Sequence, residues 1–161
     1  MPNNIDSNKA NKQNTLTPYC SFIKYTVATA IDPDGTLHAT RCNCSFCQKL
    51  GNTNLRVASP STDFNLLQPA SMHDNENVGD YSKDPAKMHR WFCKKCSVLV
   101  YMEGVLEWEG QEVGFFMVNV GSIDQPQEGV DLGKIKLQYF DMLNDNIQGG
   151  LKAEPWGNGL P

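Results

Sequence analysis

The sequence predicts a mostly β protein, and three observations lead to that fold class. Short runs of β-branched and aromatic residues are separated by clusters of Gly, Pro, Asn, Asp and Ser, which is the pattern of strands joined by turns. No long segment repeats apolar residues at the three- and four-residue intervals of an amphipathic helix. Two of the six cysteines form a CxxC turn between predicted strands, which is the shape of a zinc knuckle.

The chain of 161 residues divides into a leader, one domain and a tail. Residues 1–17 contain almost no apolar side chains, so we expect a disordered leader there. Residues 18–143 hold the predicted strands and all six cysteines, and we expect them to form the domain. Residues 144–161 are rich in Gly, Asn and Pro, which predicts a loosely packed C-terminal tail.

Charge and hydropathy exclude two classes of partner. The net charge of −4 gives no general attraction to phosphate backbones, so nucleic acid is not an expected partner. No apolar run is long enough to cross a bilayer, so we expect no membrane role. The polar start of the chain lacks the apolar stretch of a secretory signal. We therefore expect a location in the cytoplasm, with the nucleus as the alternative, where thiols stay reduced.

The first half of the domain predicts a hairpin that carries cysteines. Residues 20–31 and 36–42 have strand patterns, and the Asp-Pro-Asp-Gly sequence at 32–35 predicts the turn between them. Cys42 then lies near the end of the second strand. Residues 45–50 are predicted to form a short turn or a single helical turn, which ends at Gly51 because glycine tolerates a left-handed C-cap.

Further strands are predicted along the rest of the domain. They are the segments 54–58, 64–67, 88–92, 98–102, 114–120 and 135–140. Turns are expected at 59–63 and 121–124, and residues 68–87 are predicted to form a long surface loop because they combine Pro and Gly with many polar residues.

The CxCxxC sequence at Cys42, Cys44 and Cys47 predicts a three-thiol metal site. Residues two apart on a strand point to the same face, so Cys42 and Cys44 can direct both sulfurs to one point. If the chain turns after Cys44, Cys47 can approach from a third side. Zinc is the expected metal because tetrahedral sulfur sites favour it.

The other cysteines allow more than one arrangement. Cys93 and Cys96 have CxxC spacing, and Cys20 is the unassigned partner, which gives two sites of three thiols each. A competing division forms one closed site from two cysteines of the CxCxxC and the Cys93/Cys96 pair, and leaves two thiols spare. Cys20 can alternatively be a buried core residue. Disulfides are disfavoured by the cramped spacing and the expected reducing compartment.

A zinc ion with three protein ligands keeps one position for water or substrate, whereas a fourth protein ligand makes the site structural. A thiol that takes this position loses its proton near neutral pH and becomes a better nucleophile toward a small aldehyde. Three local thiols therefore indicate a site at which the fourth sulfur arrives with the substrate.

Four ordered motifs resemble the glutathione-dependent formaldehyde-activating enzyme family, which also includes centromere protein V. They are CSFIKYTV at 20–27, RCNCSFCQKLG at 41–51, WFCKKC at 91–96 and VNVGSID at 118–124. The resemblance implies an Mss4-like fold of twisted antiparallel sheets with zinc sites. It also implies a carbon–sulfur lyase activity that forms or splits S-hydroxymethylglutathione. By position, Cys42, Cys44 and Cys47 resemble the catalytic zinc ligands, and Cys20, Cys93 and Cys96 resemble the structural ones.

The chain departs from the family pattern at two positions. The family usually begins with CxC, and here Pro18 replaces the first cysteine of that pair, so the structural site lacks its fourth ligand. The family also commonly has Gly after the CxxC, where this chain has Ser97. Both changes affect the structural site and leave the CxCxxC intact.

Three polar residues are candidate substrate contacts. Lys49 and Arg41 flank the catalytic cysteines and can pair with a glutathione carboxylate, or they are solvated surface charges. Asn119 can contact substrate or satisfy backbone groups near the Gly121 turn. Among the histidines, His38 is the best candidate for proton transfer because it shares a predicted strand face with Cys42.

The sequence therefore predicts a zinc-dependent carbon–sulfur lyase that acts on adducts of glutathione, or a similar thiol, with formaldehyde or another small carbonyl compound. Two alternatives remain at this stage. One is a non-catalytic zinc-binding scaffold that recognises a protein partner, and the other is an enzyme of the same fold with a different small-molecule substrate.

Overall fold

The computed structural model describes residues 13–16, 22–127 and 130–161. The strands are β1 Gln13–Leu16, β2 Lys24–Ala28, β3 His38–Cys42, β4 Asn54–Arg56, β5 Phe64–Gln68, β6 Val78–Asp80, β7 Met88–Cys93, β8 Leu99–Trp108, β9 Gln111–Asn119, β10 Lys136–Phe140 and β11 Leu151–Lys152. The helices are α1 Ser45–Leu50, α2 Pro60–Asp63 and the 3₁₀ helices Val120–Ser122, Leu132–Lys134 and Ile147–Gly149. The prediction of a mostly β protein is confirmed.

The strands form two sheets. The smaller sheet has the order β1-β2-β5, and the larger has the order β11-β10-β3-β4-β9-β8-β7-β6. All neighbouring strands are antiparallel except β10 and β3, which run parallel. The parallel pair differs from the twisted antiparallel sheets that the family resemblance implies, because the chain returns after β9 and places β10 beside β3 in the same direction.

The predicted hairpin of β2 and β3 is wrong in its pairing. The turn forms, with Gly35 at φ 85° and an isolated bridge between Ile31 and Leu37. However, β2 belongs to the small sheet, and β3 lies between β10 and β4 in the large one. The physical reason is burial, because Tyr25 on β2 and Ala39 on β3 both pack into the same hydrophobic core. The chain crosses from the small sheet to the large sheet at this turn, so each strand contributes to that core from its own sheet.

An aromatic cluster connects the two sheets. The Phe64 ring on β5 lies 5.3 Å from that of Tyr25, 5.0 Å from that of Tyr101 and 4.8 Å from that of Phe116, measured between centroids. Such pairs add about 0.5–1.5 kcal/mol each beyond their area burial. The Tyr25 hydroxyl is 2.7 Å from Ser122 Oγ, so the buried phenol is hydrogen-bonded. This core fixes the small sheet against β8 and β9.

Several local predictions hold with adjusted bounds. The turn at 59–63 contains α2, and the predicted surface loop at 68–87 contains the short edge strand β6. Strands β8 and β9 are longer than predicted, since they continue as a hairpin that turns at Glu109 and Gly110 with φ 49° and 74°. The outer part of this hairpin is largely exposed, so its sequence lacks the apolar alternation of a core strand.

Regular structure extends into both predicted terminal segments. Within the predicted leader, Gln13–Leu16 forms β1 and pairs with β2, and the other leader residues lie outside the described part of the chain. Within the predicted tail, β11 pairs with β10, and Trp156 Nε1 donates a hydrogen bond to the Tyr139 carbonyl at 3.0 Å. Among the described residues, no helix has the length and apolar character needed to cross a bilayer.

Candidate metal centre

The structure brings Cys42, Cys44 and Cys47 together. Cys42 ends β3, Cys44 is the N-cap of α1, and Cys47 lies in the first half of that helix. Their three sulfur atoms lie within 4.8 Å of one another. A tetrahedral zinc held at about 2.3 Å by each sulfur needs sulfurs roughly 3.8 Å apart, so the group fits zinc.

Local backbone geometry explains why this short sequence converges. The amide of Cys44 donates to Cys42 Sγ, and the amide of Cys47 donates to Cys44 Sγ, each at 3.4 Å. The helix ends at Gly51, whose φ of 60° confirms the predicted left-handed C-cap. The turn after Cys44 is therefore the one that the sequence predicts, and it presents the third sulfur.

Within the described residues, this group contains three potential ligands and no fourth His, Cys, Asp or Glu. Of its members, Cys47 is buried, and Cys42 and Cys44 are partly exposed. The donor set is all sulfur, which suits zinc better than a hard cation. Because only three ligands are present in the described part of the chain and two of the cysteines are partly exposed, an exogenous ligand can reach the group.

Hydrogen bonds among the three thiols give them different pKa values. The pKa of Cys44 is held well below its ordinary value because the Cys42 and Cys47 thiols donate hydrogen bonds to its sulfur. The pKa of Cys42 is raised by its hydrogen bond with Cys44, and that of Cys47 is raised by hydrogen bonds with both neighbouring sulfurs. Negative charge on Cys44 is therefore favoured, and a thiolate is the form that binds metal.

The residue between the first two cysteines connects the loop to the end of β10. Asn43 is 4% exposed, its Nδ2 donates to Asp141 Oδ1 at 2.6 Å, and its Oδ1 accepts from the Leu143 amide at 2.8 Å. Gln48 Nε2 donates to the Asn43 carbonyl at 2.5 Å. Sequence reasoning missed this anchor, because no local motif links Asn43 to a residue 98 positions away. Asp141 is 3% exposed, and it accepts bonds from asparagine side chains.

The second predicted site is described only in part. Cys93 is fully buried at the end of β7, its sulfur accepts from the Lys95 amide at 3.4 Å, and Cys96 is partly exposed. Cys20 and Pro18 lie outside the described residues, so the three-plus-three division stays a prediction. Ser97, which stands where the family commonly has Gly, has a φ of 62°. A glycine adopts this left-handed conformation at lower cost than serine does.

Lys49 is placed beside the cluster. It lines a cavity of about 630 Å³ together with Cys44, Phe46, Lys83 and Arg90; we call this space the Cys44 cavity. The positive charge of the cavity walls is not predicted from the sequence. Lys83 lies in the long loop and Arg90 lies on β7, and both are distant from the CxCxxC along the chain. No local motif marks either residue.

Arg41 and Asn119 are placed away from that cavity. Arg41 Nε donates to Thr53 Oγ1 at 3.2 Å, and the residue lines a smaller space of about 250 Å³ with Cys42 and Cys47. Asn119 Nδ2 donates to the Leu99 carbonyl at 2.8 Å, and its Oδ1 accepts from the Gly121 amide at 3.2 Å. The Asn119 side chain therefore hydrogen-bonds backbone groups near the Gly121 turn, which is one of the two roles that the sequence predicts for it; the other is contact with substrate.

The described histidines are not part of the cysteine group. His38 is paired with Asp32 at 2.9 Å in an exposed position. His89 Nδ1 lies 2.7 Å from Asp80 Oδ2, and the His73 and His89 rings contact Trp91. The group of potential ligands around Cys44 contains none of these three rings.

The fold and the site define a mostly β protein with a compact three-cysteine group that can hold a metal ion. The model of the glutathione-dependent formaldehyde-activating enzyme family matches residues 14–135, and the chain belongs to this family.

Two further comparisons add little to the family match. The chain is similar to a Rhodobacter sphaeroides protein of known crystal structure, at 23% identity and a TM-score of 0.48, over 70% of this chain and 89% of that one. No curated protein is significantly similar to the chain.

Proposed function

We propose that the protein is a zinc-dependent carbon–sulfur lyase that acts on adducts of glutathione, or a similar thiol, with formaldehyde or another small carbonyl compound. One observation carries the proposal: three sulfurs converge within 4.8 Å, without a fourth ligand among the described residues, at the edge of the Cys44 cavity. Membership of the formaldehyde-activating family supports glutathione and formaldehyde as the reactants.

Cys42, Cys44 and Cys47 are the residues that would hold the zinc. When bound, zinc supplies a positive charge that lowers the pKa of a thiol placed at the open side of the cysteine group. Asn43 and Asp141 keep the cysteine loop in place, so the three sulfurs are organised before the thiol arrives. Such preorganisation reduces the free energy that binding must spend on ordering the site.

The overall reaction is balanced without an oxidant or reductant. In the direction of addition, the thiol loses its proton, its sulfur forms a bond to the carbonyl carbon, and the carbonyl oxygen gains a proton. The lyase direction reverses these steps. Ser45 lines the Cys44 cavity, and we propose that its hydroxyl donates a hydrogen bond to the carbonyl oxygen, which takes its proton from solvent.

The candidate substrate contacts take different parts in this proposal. Lys49 is assigned to the thiol substrate, because it shares a cavity with Cys44. Arg41 remains a candidate contact in a separate space beside the cluster, because it lines the 250 Å³ space with Cys42 and Cys47. Asn119 is assigned to the backbone of the turn after β9, because both ends of its amide are hydrogen-bonded there.

The test measures the exchange between formaldehyde, glutathione and their adduct by NMR with ¹³C-labelled formaldehyde. The zinc-loaded protein should accelerate this exchange above the uncatalysed rate, and the Cys44→Ser variant should not. The metal content of the same samples shows whether the variant lost its zinc. A zinc-loaded protein that binds glutathione no better than Cys44→Ser and leaves the exchange rate unchanged would support the non-catalytic scaffold instead.

A further inference from the structure

The Cys44 cavity is positively charged, although the protein as a whole carries a net charge of −4. Its lining includes Lys49, Lys83 and Arg90 and contains no Asp or Glu. Like charges collected in a concave site with low-dielectric walls concentrate their field and attract an oppositely charged ligand. The ligand of this cavity is therefore expected to be anionic.

The size of the cavity indicates what part of the substrate it holds. Its volume of about 630 Å³ is far larger than a one-carbon aldehyde requires. Pockets for small organic ligands typically have volumes of about 300–1,000 Å³. The space thus suits the body of the thiol, with the sulfur at the Cys44 end and the remainder extending toward Arg90.

Aromatic rings hold the Arg90 side chain in position. The guanidinium carbon lies 4.4 Å from the centroid of the Phe46 ring and 6.0 Å from that of Tyr81, and these two rings stack at 5.0 Å. Stacking of this kind fixes the plane of a guanidinium and leaves its edge available. Ordering the side chain in the free protein also lowers the entropy cost of ligand binding.

The donors of that guanidinium are largely unused by the described part of the chain. Arg90 Nε is buried and has no hydrogen-bond partner among the described residues, and Nη1 reaches the Tyr81 carbonyl only at 3.5 Å. Because Nε is enclosed by protein, a ligand in the cavity is expected to approach the guanidinium from its Nη end. A carboxylate matches the fork of a guanidinium with two parallel hydrogen bonds.

We propose that Arg90, held by Phe46, is the carboxylate anchor of the Cys44 cavity, and that it makes the site select carboxylate-bearing thiols over neutral ones. This inference rests on the proposed function, because it takes the cysteine group as the place where the sulfur binds. Lys49 and Lys83 add positive charge, and Arg90 supplies the directional contact. Arg90 thus determines which thiol the enzyme uses and leaves the bond-forming step to the groups around Cys44.

The first test needs no substitution. Binding of three thiols to the zinc-loaded protein is measured by calorimetry: glutathione, glutathione diethyl ester and 2-mercaptoethanol. The ester keeps the sulfur and the peptide body but has no carboxylate charge. We expect glutathione to bind about tenfold or more tightly than the ester, because the ester cannot form the charge-assisted hydrogen bonds of a carboxylate with a guanidinium. Equal binding of glutathione and its ester would overturn the inference.

The second test replaces the anchor. Arg90→Gln should weaken glutathione binding about tenfold or more and should leave binding of the ester and of 2-mercaptoethanol unchanged. Arg90→Lys keeps the charge but loses the fork, so it should fall between the wild type and Arg90→Gln. Lys134→Gln is the matched control, because it removes one positive charge from an exposed site outside the cavity lining. Its glutathione affinity should equal that of the wild type.

The possible failures can be told apart. If the zinc-loaded wild type binds none of the three thiols, the proposed function fails and the inference fails with it. If the wild type binds glutathione and Arg90→Gln binds it equally well, only the inference fails. A loss of affinity of equal size for all three thiols would also contradict the inference, because it would indicate damage to the cysteine site and not the loss of a carboxylate contact. Zinc content and thermal unfolding of each variant are recorded in parallel.

Discussion

Asn43 Nδ2 lies 2.6 Å from Asp141 Oδ1, and this contact joins the loop between Cys42 and Cys44 to the segment that follows β10. Both side chains are almost fully buried, and the two residues are 98 positions apart in the chain. The Leu143 amide donates to Asn43 Oδ1 at 2.8 Å, so both ends of the asparagine amide are paired. Tertiary structure thus fixes the cysteine loop through the one residue that separates the first two thiols.

The first prediction concerns this contact. Asn43→Ala should lower the free energy of unfolding by about 1–3 kcal/mol, because it leaves buried groups unpaired. It should also weaken zinc binding, because the loop loses its anchor. Chemical denaturation and competition with a zinc chelator measure the two effects. Asn65→Ala, at an exposed position on β5, is the control and should change neither quantity. An Asn43→Ala protein with unaltered zinc affinity would show that the loop does not depend on the anchor.

The second prediction is a pH dependence of stability. The pKa of Asp141 is lowered because the Asn43 amide donates to its carboxylate, with Asn144 and Asn146 adding further donors. A lowered folded-state pKa stabilises the protein above the unfolded-state value of about 3.9, and this contribution is lost as the pH falls through the folded-state pKa. Asp141→Asn lacks this contribution at every pH.

The measurement is the difference in unfolding free energy between the wild type and Asp141→Asn after removal of metal. We expect this difference to be constant from pH 7 to pH 5 and to decrease below about pH 4, where the carboxylate of the unfolded chain takes up a proton before that of the folded protein does. A difference that stays the same at pH 3 and pH 7 would contradict the assignment of a buried, hydrogen-bonded carboxylate at this position.

The third prediction concerns metal stoichiometry. Cys44→Ser should lose about one zinc per chain relative to the wild type, because the proposed site holds that ion with three thiolates and a serine hydroxyl does not replace one of them. Elemental analysis of the purified proteins measures the loss. Ser45→Ala, at the adjacent position on α1, is the control and should retain all of the zinc. Equal zinc content in Cys44→Ser and the wild type would place the metal elsewhere.

The fourth prediction concerns the turn after the CxxC. Ser97 has a φ of 62°, a conformation that costs a non-glycine residue about 1 kcal/mol. Ser97→Gly should therefore raise the stability of the folded protein by up to about 0.6 kcal/mol, because the larger unfolded-state entropy of glycine offsets about 0.4–1 kcal/mol of the relieved strain. Ser61→Gly in α2 is the control and should lower it, since glycine is unfavourable in a helix. Thermal unfolding compares the two variants, and a destabilised Ser97→Gly protein would contradict the strain argument.

Local features of this protein are predictable from its sequence. The CxCxxC spacing, the helical turn after it and the left-handed Gly51 all follow from interactions within ten residues, and the structure has each of them. Strand alternation likewise identifies β2 and the inner part of β9, where buried and less buried residues alternate.

Long-range relationships account for what the sequence does not predict. Single-strand patterns do not reveal that β2 and β3 enter different sheets or that β10 pairs in parallel with β3. Asp141 lies in a stretch that has the composition of solvated surface, and its burial depends on a partner 98 residues away. Arg90 comes to the Cys44 cavity through the packing of β7 near α1, so no motif marks it in the sequence.

The central claim is that a thiol from the substrate completes the sulfur coordination of a zinc held by Cys42, Cys44 and Cys47. Zinc X-ray absorption spectra of the wild-type protein, recorded before and after addition of glutathione, test this directly. The account predicts that glutathione raises the number of sulfur ligands per chain by about one, at a zinc–sulfur distance of about 2.3 Å. A spectrum that glutathione leaves unchanged, with zinc already fully coordinated by protein ligands, would contradict it.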